Sequence, residues 1–179
     1  MFRILKNFAV TLAAISGLAV IASAQTAAST SPQRGPSTAT RAYVVLPAQS
    51  LGDLERKLHS ENKAEDLIGG EGMQLRVAVQ HEKDHVPPTG ELHDASDDVY
   101  YVLEGAATLT LGGKLEAPRE VEPGEWRGKI NGGKEIEINK GDLIVVPRGT
   151  PHARSTAGKD FTMILIKIYA QPLPAPKPK

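Results

Sequence analysis

Gly141-Asp-Leu-Ile-Val-Val-Pro147-Arg-Gly149-Thr-Pro-His152 is the stretch whose reading decides how this chain folds. A glycine turn feeds Leu143 to Val146, an apolar run of the right length for one short strand. Pro147 has no N–H to give a strand ladder, so the strand ends there. Gly149 permits a sharp reversal. His152 is then delivered at the head of the next strand. Hydrophobic burial, a reversal and a histidine therefore come in a fixed order, which places one imidazole beside the core.

Upstream lies a second segment of the same character: Glu91-Leu-His93-Asp-Ala-Ser-Asp97-Asp98-Val-Tyr100-Tyr101-Val-Leu-Glu104-Gly105. Glu91 and His93 are two apart, so on a strand both point to one face. Asp98, Tyr100 and Val102 share a face of the following strand by the same alternation. Asp97 is the register alternative to Asp98.

The rest of the chain reads mainly as short strands. Tyr43 to Leu46, Met73 to Val79, Val99 to Leu103, Ala107 to Leu111, the segment around Ile136 and Ile138, and Phe161 to Tyr169 all carry strand patterns. Glu104-Gly105 reads as a tight turn, and Leu143 to Val146 as apolar on both faces. Leu51, Leu54 and Leu58 fall at helical spacing and predict one short helix. Gly112-Gly113, Asn131-Gly132-Gly133 and Gly141-Asp142 punctuate the strands as turns. Many short strands with Gly and Pro turns indicate a sandwich or barrel.

The two segments together resemble the two motifs of the cupin superfamily. Asp98 to Gly105 follows the spacing of the first motif, and Gly141 to His152 that of the second. The resemblance covers roughly Met73 to Ile168. It implies an all-β double-stranded β-helix, a jelly-roll or cupin barrel, here with a short N-terminal helix. The ligand positions of related metal enzymes fall on Glu91, His93, Asp98 and His152. Two of these depart from the family pattern: Glu91 stands where a histidine is usual, and Asp98 where a glutamate is usual. Thr156 stands where an asparagine is frequent.

Two imidazoles and two carboxylates form a mixed nitrogen and oxygen set, which suits Fe, Mn, Ni or Zn as a divalent ion. Two carboxylates neutralise a divalent charge fully, so the bound water is expected to be less acidic than at a three-histidine, one-carboxylate site. In the absence of an ion, two such carboxylates repel, and one is expected to take a proton. Taken singly, His93 and His152 read as ordinary buried histidines. Taken jointly within both motifs, they read as ligands. Glu91 reads equally as a ligand or a solvated loop carboxylate. Glu91 and Tyr100 are the candidates for moving a proton or orienting a substrate, with core packing the alternative for Tyr100. His81 and His85 read as surface residues, His85 with the option of approaching the barrel mouth. His59 reads as exposed. Leu115 to Ile130, which holds Trp126-Arg127, is long enough to carry function but reads first as a surface hairpin with a packed Trp126, and Arg148 and Arg154 read as surface ion-pairing residues, either one a candidate partner for an anionic substrate group.

Composition bounds the rest. The 179 residues carry 21 basic and 21 acidic side chains, and only 4% are aromatic. That balance gives no footprint for nucleic acid. The absence of cysteine excludes disulfides, thiolate metal sites, cysteine nucleophiles and a lipoprotein anchor. Arg3 and Lys6 precede an apolar run from Phe8 to Ile21, and Ala22-Ser23-Ala24 supplies a small-residue cleavage pattern. Residues 1–24 are thus expected to be a signal peptide, and the protein exported, periplasmic or secreted, with no membrane partner after cleavage. Residues 25–40 read as a flexible spacer, 41–170 as one barrel domain and 171–179 as a Pro-rich disordered tail.

The expected function is binding of a divalent metal in the barrel together with action on a small molecule. Oxygenase, isomerase, decarboxylase and lyase chemistry are all open. The alternative is a non-catalytic module that binds a sugar or an organic acid. Related cupins commonly dimerise, which leaves a homodimer open as an assembly, although no sequence feature identifies an interface.

Overall fold

The structure is a computed structural model that describes residues 35–39 and 41–174. The expected signal peptide lies outside these residues, as do most of the spacer and the end of the tail. No helix among the described residues is long and apolar enough to cross a membrane.

One helix, α1 (Ala48–Leu58), precedes ten strands. These are β1 (Lys63–Ile68), β2 (Leu75–Lys83), β3 (Gly90–His93), β4 (Ser96–Leu111), β5 (Lys114–Glu122), β6 (Glu125–Asn131), β7 (Lys134–Asn139), β8 (Leu143–Val146), β9 (His152–Ser155) and β10 (Asp160–Tyr169). All pairings are antiparallel. One layer runs β1, β2, β10, β4, β8, and the other β5, β6, β3, β9, β4, β7. This is the double-stranded β-helix expected from the sequence.

The strand β4 belongs to both layers. Its first half pairs with β10 and β8, and its second half with β7 and β9. Glu104-Gly105 is therefore a bend inside one long strand, where the sequence predicted a turn between two. Gly105 makes the bend with φ +77°, and its Cα faces the carbonyl of Asp160 so closely that a Cβ would lie 1.9 Å from that oxygen. The partner strand accommodates the bend with a register shift between Thr162 and Met163.

Alternation along β4 and β10 builds the core. Tyr100 and Val102 face Phe161, Met163 and Leu165, with Ala107, Leu109, Ile138 and Val146 completing a buried apolar cluster. The same inward rows change character at one end. Asp98 precedes Tyr100 on β4, and Lys167 follows Leu165 on β10; both are buried and stand opposite each other. One end of the barrel is thus apolar and the other polar.

Several local expectations differ. Tyr43 to Leu46 forms no strand and is exposed. The strand β1 was hidden by its charged residues, Lys63, Glu65 and Asp66, which sit at a sheet edge. Leu143 and Val145 are exposed, so β8 buries one face only. His81, expected at the surface, is fully buried on the outer face of β2, the strand on which α1 packs. Its Nδ1 meets Thr162 Oγ1 at 2.9 Å, and its ring stacks on His59 at 4.8 Å. His59 is accordingly half-buried rather than exposed. The tail begins tied down: Leu173 exchanges backbone hydrogen bonds with Gly72 and Met73 at 2.9 Å.

Replacing Gly105 by alanine forces a positive φ on a Cβ that has no room. The expected loss is at least about 2 kcal/mol, read as a lower urea midpoint; an unchanged midpoint would show that β4 does not depend on this bend.

Candidate functional site

The polar end of the barrel is assembled by clamping the two sequence segments together. Asp97, which alternation turns outward, accepts three hydrogen bonds from Arg148: the backbone N–H at 2.8 Å, Nε at 3.0 Å and a terminal nitrogen at 2.7 Å. These contacts, the Arg148 side chain foremost, hold the Asp97 carboxyl at a pKa of about 2. Gly149 donates its N–H to the carbonyl of His93 at 2.8 Å. The reversal before β9 is thereby fixed against β3, and His152 pairs directly with Glu91. The choice between Asp97 and Asp98 is settled: Asp98 faces the interior, and Asp97 holds the turn. Arg148 takes the surface ion pair expected of it.

Glu91, His93 and His152 each present a ligand atom within 4.8 Å of the others. His152 is buried, and its Nδ1 lies 2.9 Å from the carbonyl of Thr150. That carbonyl can only accept, so Nδ1 carries a hydrogen and Nε2 is the nitrogen that faces the cluster. His152 Nε2 lies 3.3 Å from Glu91 Oε1 and 3.9 Å from Asp98 Oδ2. Asp98 Oδ2 lies 3.4 Å from His93 Nε2. Asp98 thus touches both imidazoles while its Oδ2 also accepts from the Tyr100 hydroxyl at 3.3 Å.

These residues fit a divalent ion. His152 Nε2 and Asp98 Oδ1 are buried without a hydrogen-bond partner, a costly condition unless something else satisfies them. Ligands bound at roughly 2.0–2.2 Å to one ion lie about 3–4 Å from each other, and the His152–Glu91, His93–Asp98 and His152–Asp98 separations of 3.3, 3.4 and 3.9 Å fall in that range. Glu91, His93 and His152 are the residues that would hold it together, with Asp98 beside both imidazoles.

Two residues of the site, Glu125 and Lys167, escaped the sequence reading, and a third, Arg127, is singled out there only within a long hairpin. Glu125 Oε2 lies 2.7 Å from His93 Nδ1, close enough for an ion pair though poorly aligned for a hydrogen bond. Lys167 Nζ lies 3.2 Å from His93 Nε2, 3.1 Å from Glu125 Oε1 and 3.6 Å from Asp98 Oδ1. Arg127 holds Glu91 Oε2 at 2.7 Å. The alternation Phe161, Met163, Leu165, Lys167 was the signal for Lys167: a lysine continuing an apolar inward row. Arg127 lay in the hairpin of β5 and β6, whose Trp126 donates to Asp94 at 2.6 Å.

These neighbours set the protonation states. Burial alone would lower the pKa of His93, but contacts with Asp98 and Glu125 raise it to about 9. Burial would raise Glu91, but contact with His152 and the charge of Arg127 hold it at about 2. Glu91 is therefore ionised at neutral pH, and the proton expected on one of two repelling carboxylates is not on it. Burial pushes the Tyr100 hydroxyl well above its usual range, so it stays protonated and donates. Arg154 was expected at the surface. Its side chain is only 9% exposed, closes a two-pronged pair on Glu82 at 2.6 and 3.0 Å, and lies over the Tyr100 ring at 5.2 Å.

Two cavities reach the cluster. One of 350 Å³ is lined by His93, Asp98, Tyr100, Glu125 and Lys167. The other, of 550 Å³, opens at the mouth between His85, Glu91, Arg119, Arg127 and His152. His85 does approach the mouth.

No family model and no curated protein matches the chain. Solved structures resemble it in fold. A Bacillus halodurans protein is 18% identical with a TM-score of 0.48, over 76% of this chain and 88% of its own. A cupin protein from Bacteroides fragilis is 17% identical, TM-score 0.41, over 59% of this chain and 74% of its own. The DMSP lyase DddQ from Ruegeria pomeroyi is 19% identical, TM-score 0.43, over 60% of this chain. This chain spans less than half the length of the two DMSP lyase structures it resembles.

An ammonium beside His93 Nε2 and a divalent ion bound there repel each other. The variant Lys167→Met is therefore expected to bind Zn or Mn about tenfold more tightly than the unaltered protein. Calorimetric titration reads this directly, and equal affinities would show that Lys167 does not oppose the ion.

Proposed function

For a chain with the cupin fold, we propose an exported protein that binds one divalent ion among Glu91, His93, Asp98 and His152 and acts on a small molecule in the barrel. The observation that carries this reading is the convergence of two buried imidazoles and two carboxylates on a cavity. A divalent ion held there supplies a positive charge to an oxygen of the bound molecule. The protein's own groups do the rest. Asp98 and Glu125 orient His93, Thr150 fixes the tautomer of His152, and the Tyr100 hydroxyl holds Asp98. Glu91 is an ionised carboxylate that lines the mouth cavity and the candidate to take a proton from a bound molecule.

A second reading is favoured by one feature of the same geometry. Glu91 is held by Arg127, and Tyr100 is buried and stays protonated, so neither titrates freely near neutral pH. A module that binds its ligand without turnover needs no such titration. Turnover of the ligand with the ion present separates the two readings.

The export part of the proposal rests on the pattern of residues 1–24 and is checked by the N-terminus of the exported chain, expected at Gln25. The metal part is checked by elemental analysis after exposure to Fe, Mn, Ni and Zn. About one equivalent per chain is expected, with His152→Ala losing most of it; less than about a tenth of an equivalent in the unaltered protein would sink the metal reading.

A further inference from the structure

His152, Glu91, Arg127 and Arg119 stand in one row across four neighbouring strands. Glu91 pairs with His152 between β3 and β9, and with Arg127 between β3 and β6. Arg127 pairs in turn with Arg119 between β6 and β5. Directly paired residues project from the same face of a sheet. The row starts at the histidine cluster and ends at the rim of the 550 Å³ cavity, which all four residues line.

Charge along this row does not cancel. Glu91 neutralises Arg127 at 2.7 Å. Arg119 stands opposite Arg127, is exposed, and has no carboxylate within ion-pair distance among the described residues. Like charges directly opposed on an antiparallel pair are destabilising. The same cavity is lined by His85, by Lys63, which pairs with Glu61 at 3.7 Å, and by Arg154, and its carboxylates are already engaged: Glu82 by Arg154 and Glu91 by Arg127. A positive rim with its own acids occupied is a receptor for negative charge.

We propose that Arg119 and Arg127 bind an oxyanion group, a carboxylate or a phosphate, on the small molecule that enters the barrel. This rests on the small-molecule reading above and adds the charge of that molecule. A planar guanidinium offers two parallel N–H groups to either oxyanion, which a neutral sugar cannot match. Strands lie about 4.8 Å apart, so the backbone of Arg127 is roughly 10 Å from that of His152. The anionic group is held at the rim, and the remainder of the molecule extends along the row to the histidine cluster.

The test is calorimetric titration of the purified protein with succinate, inorganic phosphate and glucose, at low and moderate salt. Succinate or phosphate binds, more weakly as salt rises, and glucose does not. The variant Arg119→Gln weakens the anion about tenfold, while metal content stays unchanged and the melting temperature does not fall; Arg119→Lys recovers part of the loss. Tighter binding of phosphate than succinate assigns a phosphate-bearing ligand, and the reverse a carboxylic acid. The proposal is overturned if neither anion is retained, if glucose binds as well as they do, or if Arg119→Gln binds them equally. Arg119-dependent anion binding by a protein that takes up no metal removes the metal reading and leaves this one standing. Metal uptake without anion binding does the opposite.

Discussion

Arg154 reaches into the barrel and closes on Glu82 while lying over Tyr100, although a charge placed beside an apolar core is costly unless it is paired. The same constraint governs the whole polar end. Glu91 is met by Arg127, and His93 and Lys167 by Asp98 and Glu125. Removing one member leaves its partner unmatched, and at His93 and Asp98 that partner is buried. The arrangement is thus held as a set, and the position of each ligand atom depends on charges contributed by strands that carry no ligand.

That dependence gives Glu125 and Lys167 a positioning role. Glu125 contacts the nitrogen of His93 that points away from the shared cluster, and it also receives Lys167. One carboxylate therefore sets both the ring of His93 and the place of the nearest ammonium. Asp97 works at a different level: it never faces the interior, yet its bonds to Arg148 anchor the reversal that presents His152.

The barrel was legible in the sequence because its decisive features are local. A glycine, an apolar strand, a Pro-x-Gly reversal and a histidine lie within one short segment, and two-residue alternation placed Glu91 with His93 and Asp98 with Tyr100. The rest of the site was not legible, because its residues meet only through strand pairing. Lys167 and His93 are 74 positions apart, and Arg127 reaches Glu91 only once β6 lies beside β3. His81 and Arg154 were misplaced for the same reason: polar residues in polar stretches read as surface until the covering element is known. Tyr43 to Leu46 erred the other way, since an apolar run becomes a strand only where a partner strand is available. Gly105 was recognised as a break, but its hydrogen-bonded neighbours on both sides keep the strand continuous through the bend.

The sharing of β4 between two layers bears on how the chain reaches this state. Its partners β10, β8, β9 and β7 all follow it in sequence, and β10, which completes one layer, is the final strand. Such non-local pairing must meet the entropy of closing long loops before its contacts repay it, which makes folding slow relative to helical proteins of the same size. Lys167 and the core row beside it arrive with that last strand. The ion-pair set around His93 is therefore incomplete until the barrel closes, and an unfinished chain exposes the inner faces of its strands without the cation that balances their acids.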